Sequence, residues 1–182
     1  MDLEQLQKDI PEALASAEHG LPDEVFSLVA SIVPMVNVDL LVQDGAGRTL
    51  LAWREYYDDH GWHIPGGIIR FKETFEDRLH RTAIKELGTD VTFDPMPLKI
   101  SELFMPYQRR GHFISFLYRC YLPEGYEIRN EGKMPTDDGY LAWHEEIPPL
   151  VNGQQGYEEF LADLKQGKAI GMTGVSRHDY RE

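Results

Sequence analysis

A single cysteine, Cys120, stands in 182 residues, within the apolar run His112 to Tyr121, so neither a disulfide framework nor a thiolate metal site is open to this chain. A reducing, cytoplasmic setting is the expectation. Basic residues are scarce as well: 18 lysines and arginines face 31 aspartates and glutamates, a net charge of −13. Such a field repels a phosphate backbone, which argues against nucleic acid as a partner. No apolar run approaches the ~18 residues that a membrane-spanning helix needs. The N-terminus, MDLEQLQKDI, is acidic and periodic where a secretory signal is basic and then apolar. A membrane partner is therefore not expected. There is no internal repeat and no linker longer than ~15 residues, so one domain is expected. At 42% hydrophobic and 27% charged, the composition is that of a folded globular protein.

Residues 1–33 carry helix punctuation. Asp2 can cap a turn with Leu3 and Leu6, Pro11 can open Glu12 to Glu18, and Gly20 can close it. A further start at Pro22-Asp23-Glu24 precedes Val25, Phe26, Leu28, Val29 and Ile32, before Pro34 stops the pattern, and predicts a well-buried helix. From Val36 the period becomes two, with Val36, Val38, Leu40 and Val42 alternating against Asn37, Asp39, Leu41 and Gln43. The turn Asp44-Gly45-Ala46-Gly47 then predicts a hairpin returning through Arg48 to Arg54.

The clearest helix is Thr74 to Leu87. Phe75, Leu79, Ala83 and Leu87 recur at four-residue spacing, Glu76 and Asp77 sit in the first turn, and Gly88 supplies a stop. Strands at about Leu98 to Met105 and His112 to Tyr121 follow. A turn at Asp137-Asp138-Gly139, a short strand through Trp143 and a helix from about Tyr157 to Lys165 complete the pattern. Strands and helices intermix without a regular βαβ repeat, which makes the class α+β.

Around the clear helix the sequence reads G-x5-E-x7-R-x4-E-x-G, with Gly67, Glu73, Arg81, Glu86 and Gly88 at the named positions. This resembles the Nudix box. The resemblance implies the Nudix α/β/α sandwich with a mixed sheet between helices. Its bounds are an N-terminal helical extension over 1–33, a Nudix domain over 34–170 and a C-terminal tail over 171–182. The extension would cover a sheet edge or a second copy, and a homodimer is expected. Where the family pattern is REUxEExGU, with U a bulky aliphatic residue, this chain reads Arg81-Thr82-Ala83-Ile84-Lys85-Glu86-Leu87-Gly88-Thr89. Two of the usual metal-binding carboxylates are therefore Thr82 and Lys85. Positions 82 and 86 lie one turn apart on a helical face, where two glutamates would gather divalent cations, and here Glu86 stands without its partner.

That loss is similar to the Nudix subgroup typified by GDP-mannose mannosyl hydrolase, which cleaves at the sugar's anomeric carbon. The resemblance covers roughly Asp23 to Leu150, including EVFSLV, MVNVDLLV, GRTLLAWR and WHIPGG in that order. It implies that Arg54 contacts a nucleotide diphosphate, that the Gly66 carbonyl and Glu86 are metal ligands, and that Asp39 is a sugar-side carboxylate. A second arginine of the subgroup is Ile68 here, with Arg70 two residues on as its substitute. The subgroup's general-base loop, measured back from Trp143, falls on Asp137 and Asp138. A carboxylate there can bind magnesium, the role given to Asp137, or deprotonate water, the role given to Asp138.

Structural readings stand beside these. Glu73 with Arg81 reads first as an ion pair across two helical turns. His112 opens an apolar strand, as a packing or strand-edge residue or as a substrate contact. His63, His80 and His144 carry weaker signals, and Trp62 and Trp143 read as core before nucleobase platform. The implied function is hydrolysis of a nucleoside diphosphate sugar resembling GDP-mannose, with magnesium, or manganese in its place, to give nucleoside diphosphate and free sugar. The alternatives are a pyrophosphatase attacking phosphorus and a catalytically silent nucleotide-binding module.

Overall fold

The computed structural model describes residues 20–56, 59–105, 110–151 and 153–168, except for the side chains of 56 and 59, together with the backbone of 176–179. In chain order its elements are α1 (Asp23–Ala30), β1 (Met35–Val42), β2 (Thr49–Tyr56), β3 (Asp59–His63), β4 (Gly66–Ile68), α2 (Phe75–Leu87), β5 (Thr92–Phe93), β6 (Lys99–Phe104), β7 (His112–Tyr121), β8 (Leu141–His144), α3 (Gly156–Lys165) and β9 (Ser176–Asp179). The helical turns expected before residue 20 lie outside the described residues.

Two sheets form among these residues. The larger runs β4-β1-β7-β6-β9, with β5 on β7, and the smaller runs β3-β2-β8. Pairing is parallel between β1 and β7 and between β6 and β9, and antiparallel elsewhere, so the larger sheet is mixed. Each face of β1 feeds its own core. Val38, Leu40 and Val42 pack with Leu79, Ala83 and Leu87 of α2. Leu41 and Leu117 pack with Tyr157, Phe160 and Leu161 of α3. The result is the expected layering of sheet between helices.

β1 and β2 correct the expected hairpin. They are joined by the turn after Val42 and share one isolated bridge, Gln43 to Thr49, yet they enter different sheets. β1 is buried on both faces from Val38 to Val42 and takes β4 and β7 as neighbours, which leaves no edge for β2. α1 corrects the expectation of a well-buried helix. Only Ala30 is buried; Leu28 is exposed on the helix, and Ile32 and Val33 are exposed beyond it, because the helix ends at Ala30, short of the expected stop at Pro34. The region assigned to a tail contributes β9, which lies along the outer edge of β6.

α2 begins and ends as its sequence dictates. Thr74 accepts from Asp77 N and Asp77 accepts from Thr74 N in a capping box. Gly88, at φ 70°, turns the chain out of the helix in the left-handed region. These caps fix where Thr82 and Glu86 stand relative to β4.

Candidate active site

A cleft of about 720 Å³ opens on the β1 face that carries Met35, Asn37 and Asp39. Alternate residues of a strand share a face, and the next on this one, Leu41, is packed under α3. One end of the cleft carries Phe26 and Val29 from α1 and Leu103 and Phe113 from β6 and β7, with the Arg110 guanidinium 4.9 Å from the centre of the Phe26 ring. The other end is polar, with Arg54, His63, Thr82 and Glu86.

At the polar end, Arg54 Nη2 lies 3.0 Å from His63 Nε2. The same ring nitrogen lies 3.6 Å from Glu86 Oε2. Lys85 Nζ is 3.5 Å from Glu86 Oε1, but its side chain is 80% exposed. Burial by itself would raise the Glu86 carboxyl, and the cations Arg54 and Lys85 beside it favour its ionised form, so the group sits below its ordinary value and is a carboxylate at neutral pH.

Asp39, 1% exposed, lies beneath the cleft with both oxygens engaged. Its Oδ1 accepts from Asn37 Nδ2 at 2.7 Å and Gln154 Nε2 at 3.5 Å. Its Oδ2 accepts from Ser115 Oγ and from Tyr157 OH at 2.7 Å. Burial pushes the Asp39 carboxyl above its ordinary value, against the hydrogen bonds from Ser115, Tyr157 and Asn37. The Asp39 network ties β1, β7 and α3 together below the site. Tyr157→Phe removes one of these donors from a buried acceptor and is expected to cost about 1–3 kcal/mol of stability. Urea denaturation measures it, and an unchanged midpoint would mean that Asp39 finds another donor.

The two glycines of WHIPGG are required by close approach. A Cβ on Gly66 would sit 2.1 Å from Asp39 Oδ1, and one on Gly67 would sit 2.6 Å from Thr82 Oγ1. The backbone here is thus pressed between the buried carboxylate and the helix, and Gly66 and Gly67 line the cleft. Glu73 locks the entrance to α2. It accepts from Arg70 N at 2.8 Å and Arg78 Nε at 2.7 Å, and it lies 3.4 Å from Arg81 Nη1. Beside the expected Glu73–Arg81 ion pair, Glu73 also binds Arg78, a buried arginine that sequence reasoning passed over. Arg70 lines the cleft, though not as a strand neighbour of Ile68, because β4 ends at Ile68.

Of the residues expected to act in catalysis, substrate binding or metal binding, three stand apart from the described cleft lining. His112 is one residue from the cleft-lining Phe113, so strand alternation turns it to the opposite face, and its Nε2 lies 3.2 Å from Glu102 Oε1. Asp137 accepts from Met134 N at 2.7 Å. Asp138 accepts from Glu55 N at 3.1 Å, which ties the turn to the end of β2 beside Arg54. Trp62 packs edge-on against Trp53 and His144, and Trp143 packs on the core between the sheets and α2, in keeping with a core reading. His63 was the residue most underrated by sequence reasoning. Its signal was positional, immediately before Ile64-Pro65-Gly66-Gly67.

A family model, NUDIX domain, matches residues 33–164. The chain belongs to the Nudix hydrolase family. Over 75 residues this Nudix chain is 40% identical to the low-salt glycan biosynthesis protein Agl8 of Haloferax volcanii, a match covering 41% of this chain and 47% of that protein. The matched stretch thus spans about half the length of that curated relative. The fold is similar to a MutT protein from Methanosarcina mazei, at 14% identity and TM-score 0.56 over 74% of this chain and 98% of that one. It is also similar to an ADP-ribose pyrophosphatase from Streptococcus suis, at 18% identity and TM-score 0.51 over 80% of this chain and 100% of that one. Among the described residues no helix is long and apolar enough to cross a membrane.

Nudix hydrolases generally use divalent cations, and the donor set here limits what this site can hold. Among the described residues no three His, Cys, Asp or Glu side chains gather as a metal cage. Of the two carboxylates in the described lining, Asp39 is engaged by four donors and Glu86 is left to meet a cation. Thr82 Oγ1 is buried without a hydrogen-bond partner. Those donors fit one hard cation that keeps most of its waters and takes further oxygens from a substrate phosphate, and do not fit a cluster.

Proposed function

We propose that this protein hydrolyses a nucleoside diphosphate sugar of the GDP-mannose kind in the cytoplasm, with water attacking the anomeric carbon and the nucleoside diphosphate leaving. The observation that carries this reading is that, in the described cleft lining, Glu86 beside Arg54 is the one carboxylate not saturated by hydrogen-bond donors, where the family's phosphorus-attacking members gather several. Glu86 and the Gly66 carbonyl would hold a magnesium or manganese ion, which would supply positive charge to offset the departing diphosphate. Arg54 donates to the same diphosphate, and Arg70, also in the cleft lining, extends the cationic stretch. The end at Phe26, Val29, Leu103 and Phe113, with Arg110 over the Phe26 ring, suits the planar nucleobase, leaving the sugar beside Asp39. The name of the Haloferax relative supports a sugar-linked substrate.

Carbon–oxygen cleavage places the electron pair on the leaving diphosphate and needs a base for the water's proton. Asp138 is our proposed base, with Asp137 beside it as the further carboxylate for the cation. The assignment requires the turn held at Glu55 N to swing toward the cleft, a motion of the kind lids make on binding. His112, paired with Glu102, is left in this reading as a strand residue.

A panel of nucleoside diphosphate sugars with product identification tests the whole reading. Nucleoside monophosphate plus sugar 1-phosphate as products would replace it with a pyrophosphatase, and no turnover of any member would replace it with a silent binding module. Arg54→Ala is expected to weaken kcat/KM at least about tenfold, since a charge-assisted contact to phosphate contributes about 1.5–3 kcal/mol. Wild-type kinetics in that variant would move the diphosphate elsewhere. The homodimer belongs to the same reading: exposed Leu28, Ile32 and Val33 of the α1 region are the surface a second copy would cover. Sedimentation equilibrium returning the 20.9 kDa monomer at micromolar concentration would remove it.

A further inference from the structure

His63 occupies a position where packing alone would favour an apolar residue. It is 2% exposed, and its Nδ1 is buried with no hydrogen-bond partner among the described residues. A buried unpaired ring nitrogen is a standing cost that a phenylalanine of similar size would not carry. Residues that break a local rule in this way concentrate at functional sites.

The other ring nitrogen is engaged. β2 and β3 pair with Ala52 opposite His63 and Arg54 opposite Gly61. Ala52, Arg54 and His63 therefore share one face, and Gly61 presents no side chain across from Arg54. The arginine reaches diagonally to His63, within the span of cross-strand neighbours. A guanidinium carries only donors, so the 3.0 Å contact is Arg54 Nη2 donating to His63 Nε2, which leaves the ring proton on Nδ1. Glu86 Oε2, at 3.6 Å from the same Nε2, stands beyond hydrogen-bond reach. Nε2 cannot accept from Arg54 and donate to Glu86 at once, and the shorter contact decides its role.

We infer that His63 is a positioning residue that holds the Arg54 guanidinium toward the cleft by accepting its Nη2 hydrogen, so that the arginine meets a diphosphate already oriented. The inference rests on the proposed diphosphate site and adds a residue to it. Without the acceptor, Arg54 keeps its charge but loses its fixed direction. A free arginine side chain must be ordered by the ligand itself, and binding weakens accordingly. Glu86 lies within reach of a straying guanidinium, and a pair formed between them would draw the arginine away from phosphate.

The test uses the full chain with magnesium and whichever of ADP, GDP, UDP and CDP binds best by calorimetry. Four variants are compared with the wild type: His63→Phe, His63→Gln, Arg54→Ala and the Arg54→Ala/His63→Phe double. His63→Phe is expected to raise Kd about tenfold, the scale of a hydrogen bond to a charged group. His63→Gln, whose amide oxygen can reach the place of Nε2, is expected to recover most of that loss. Thermal melting of His63→Phe is expected at or above the wild-type temperature, since an unpaired buried nitrogen has been removed. In the Arg54→Ala background His63→Phe is expected to add less than about twofold, because a residue acting through Arg54 has nothing left to position. An undiminished affinity in His63→Phe, a glutamine variant no better than phenylalanine, or an equal loss with and without Arg54 would each overturn the inference while leaving the diphosphate site intact. Wild-type affinity in Arg54→Ala, or binding of none of the four nucleotides, would overturn the diphosphate site and the inference together.

Discussion

Glu86→Gln is expected to lower turnover of a nucleoside diphosphate sugar by at least about a hundredfold, because in the proposed reading the cation that Glu86 would help to hold would supply several kcal/mol of charge stabilisation in the transition state. The substitution keeps the size of a side chain that is 12% exposed and removes its charge. Arg54 and Lys85, the cations beside it, remain. The cleft therefore becomes more positive, and nucleoside diphosphate is expected to bind at least as well in the absence of metal as it does to the wild type. The loss then falls on kcat and on the response to magnesium rather than on binding of the leaving group. A chelator is expected to abolish wild-type activity in parallel, with the helical circular dichroism signal unchanged in both cases, since Thr74, Asp77 and Gly88 hold the ends of α2 without help from Glu86. Full turnover of Glu86→Gln at saturating magnesium would leave the Nudix helix as scaffold only.

The parts of the molecule that local chemistry determines were legible in the sequence. α2 carried a four-residue apolar period, a capping residue and a glycine stop, and each acts within a turn or two of itself. β6, β7, β8 and α3 carried strong periods and fell close to their expected bounds. What periodicity could not supply was partner choice. Val36 to Val42 alternates convincingly enough to predict a hairpin, yet Leu41 on the nominally polar side marks a strand buried on both faces, and such a strand belongs inside a sheet. β1 accordingly took β4 and the distant β7. α1 shows another limit, since an apolar run does not say where its helix ends, here at Ala30.

Of the five box residues, Gly67 and Glu86 stand in the described cleft lining, and Glu73, Arg81 and Gly88 do not. Gly66, Gly67, Glu86 and Arg54 line one cleft, because the glycine turn, the helix and the end of β2 are each held to neighbouring strands. The loop residues were harder to read. Asp137 and Asp138 were located by counting back from Trp143, but counting gives register along a chain and says nothing of which way a turn faces. Their carboxylates instead accept the backbone hydrogens of Met134 and Glu55. His63 and Tyr157 were illegible for a different reason. A histidine ending a short strand and a tyrosine opening a helix are ordinary core residues until the fold sets Arg54 and Asp39 against them.

Hydrolysis in heavy-oxygen water is expected to put the label on the free sugar and none on the nucleoside diphosphate. The two reactions open to this fold break different bonds of one substrate, so the position of the label separates them directly. Attack at phosphorus relies on a hydroxide generated and aimed by clustered cations, and α2 offers Thr82 and the exposed Lys85 where such a cluster needs carboxylates. Attack at the anomeric carbon asks less of the protein. The diphosphate already departs readily once its charge is offset, and a base must meet water on the opposite face of the sugar. With Asp138 as that base, Asp138→Asn is expected to reduce turnover about 10²-fold, the scale of general-base catalysis, while label from residual activity still enters the sugar. Asparagine keeps an oxygen for Glu55 N, so the turn should hold and the melting temperature should stay near wild type. Full activity of Asp138→Asn with loss in Asp137→Asn would shift the base by one residue. Label on phosphorus would exclude carbon attack however well Arg54 and Glu86 perform as binding groups.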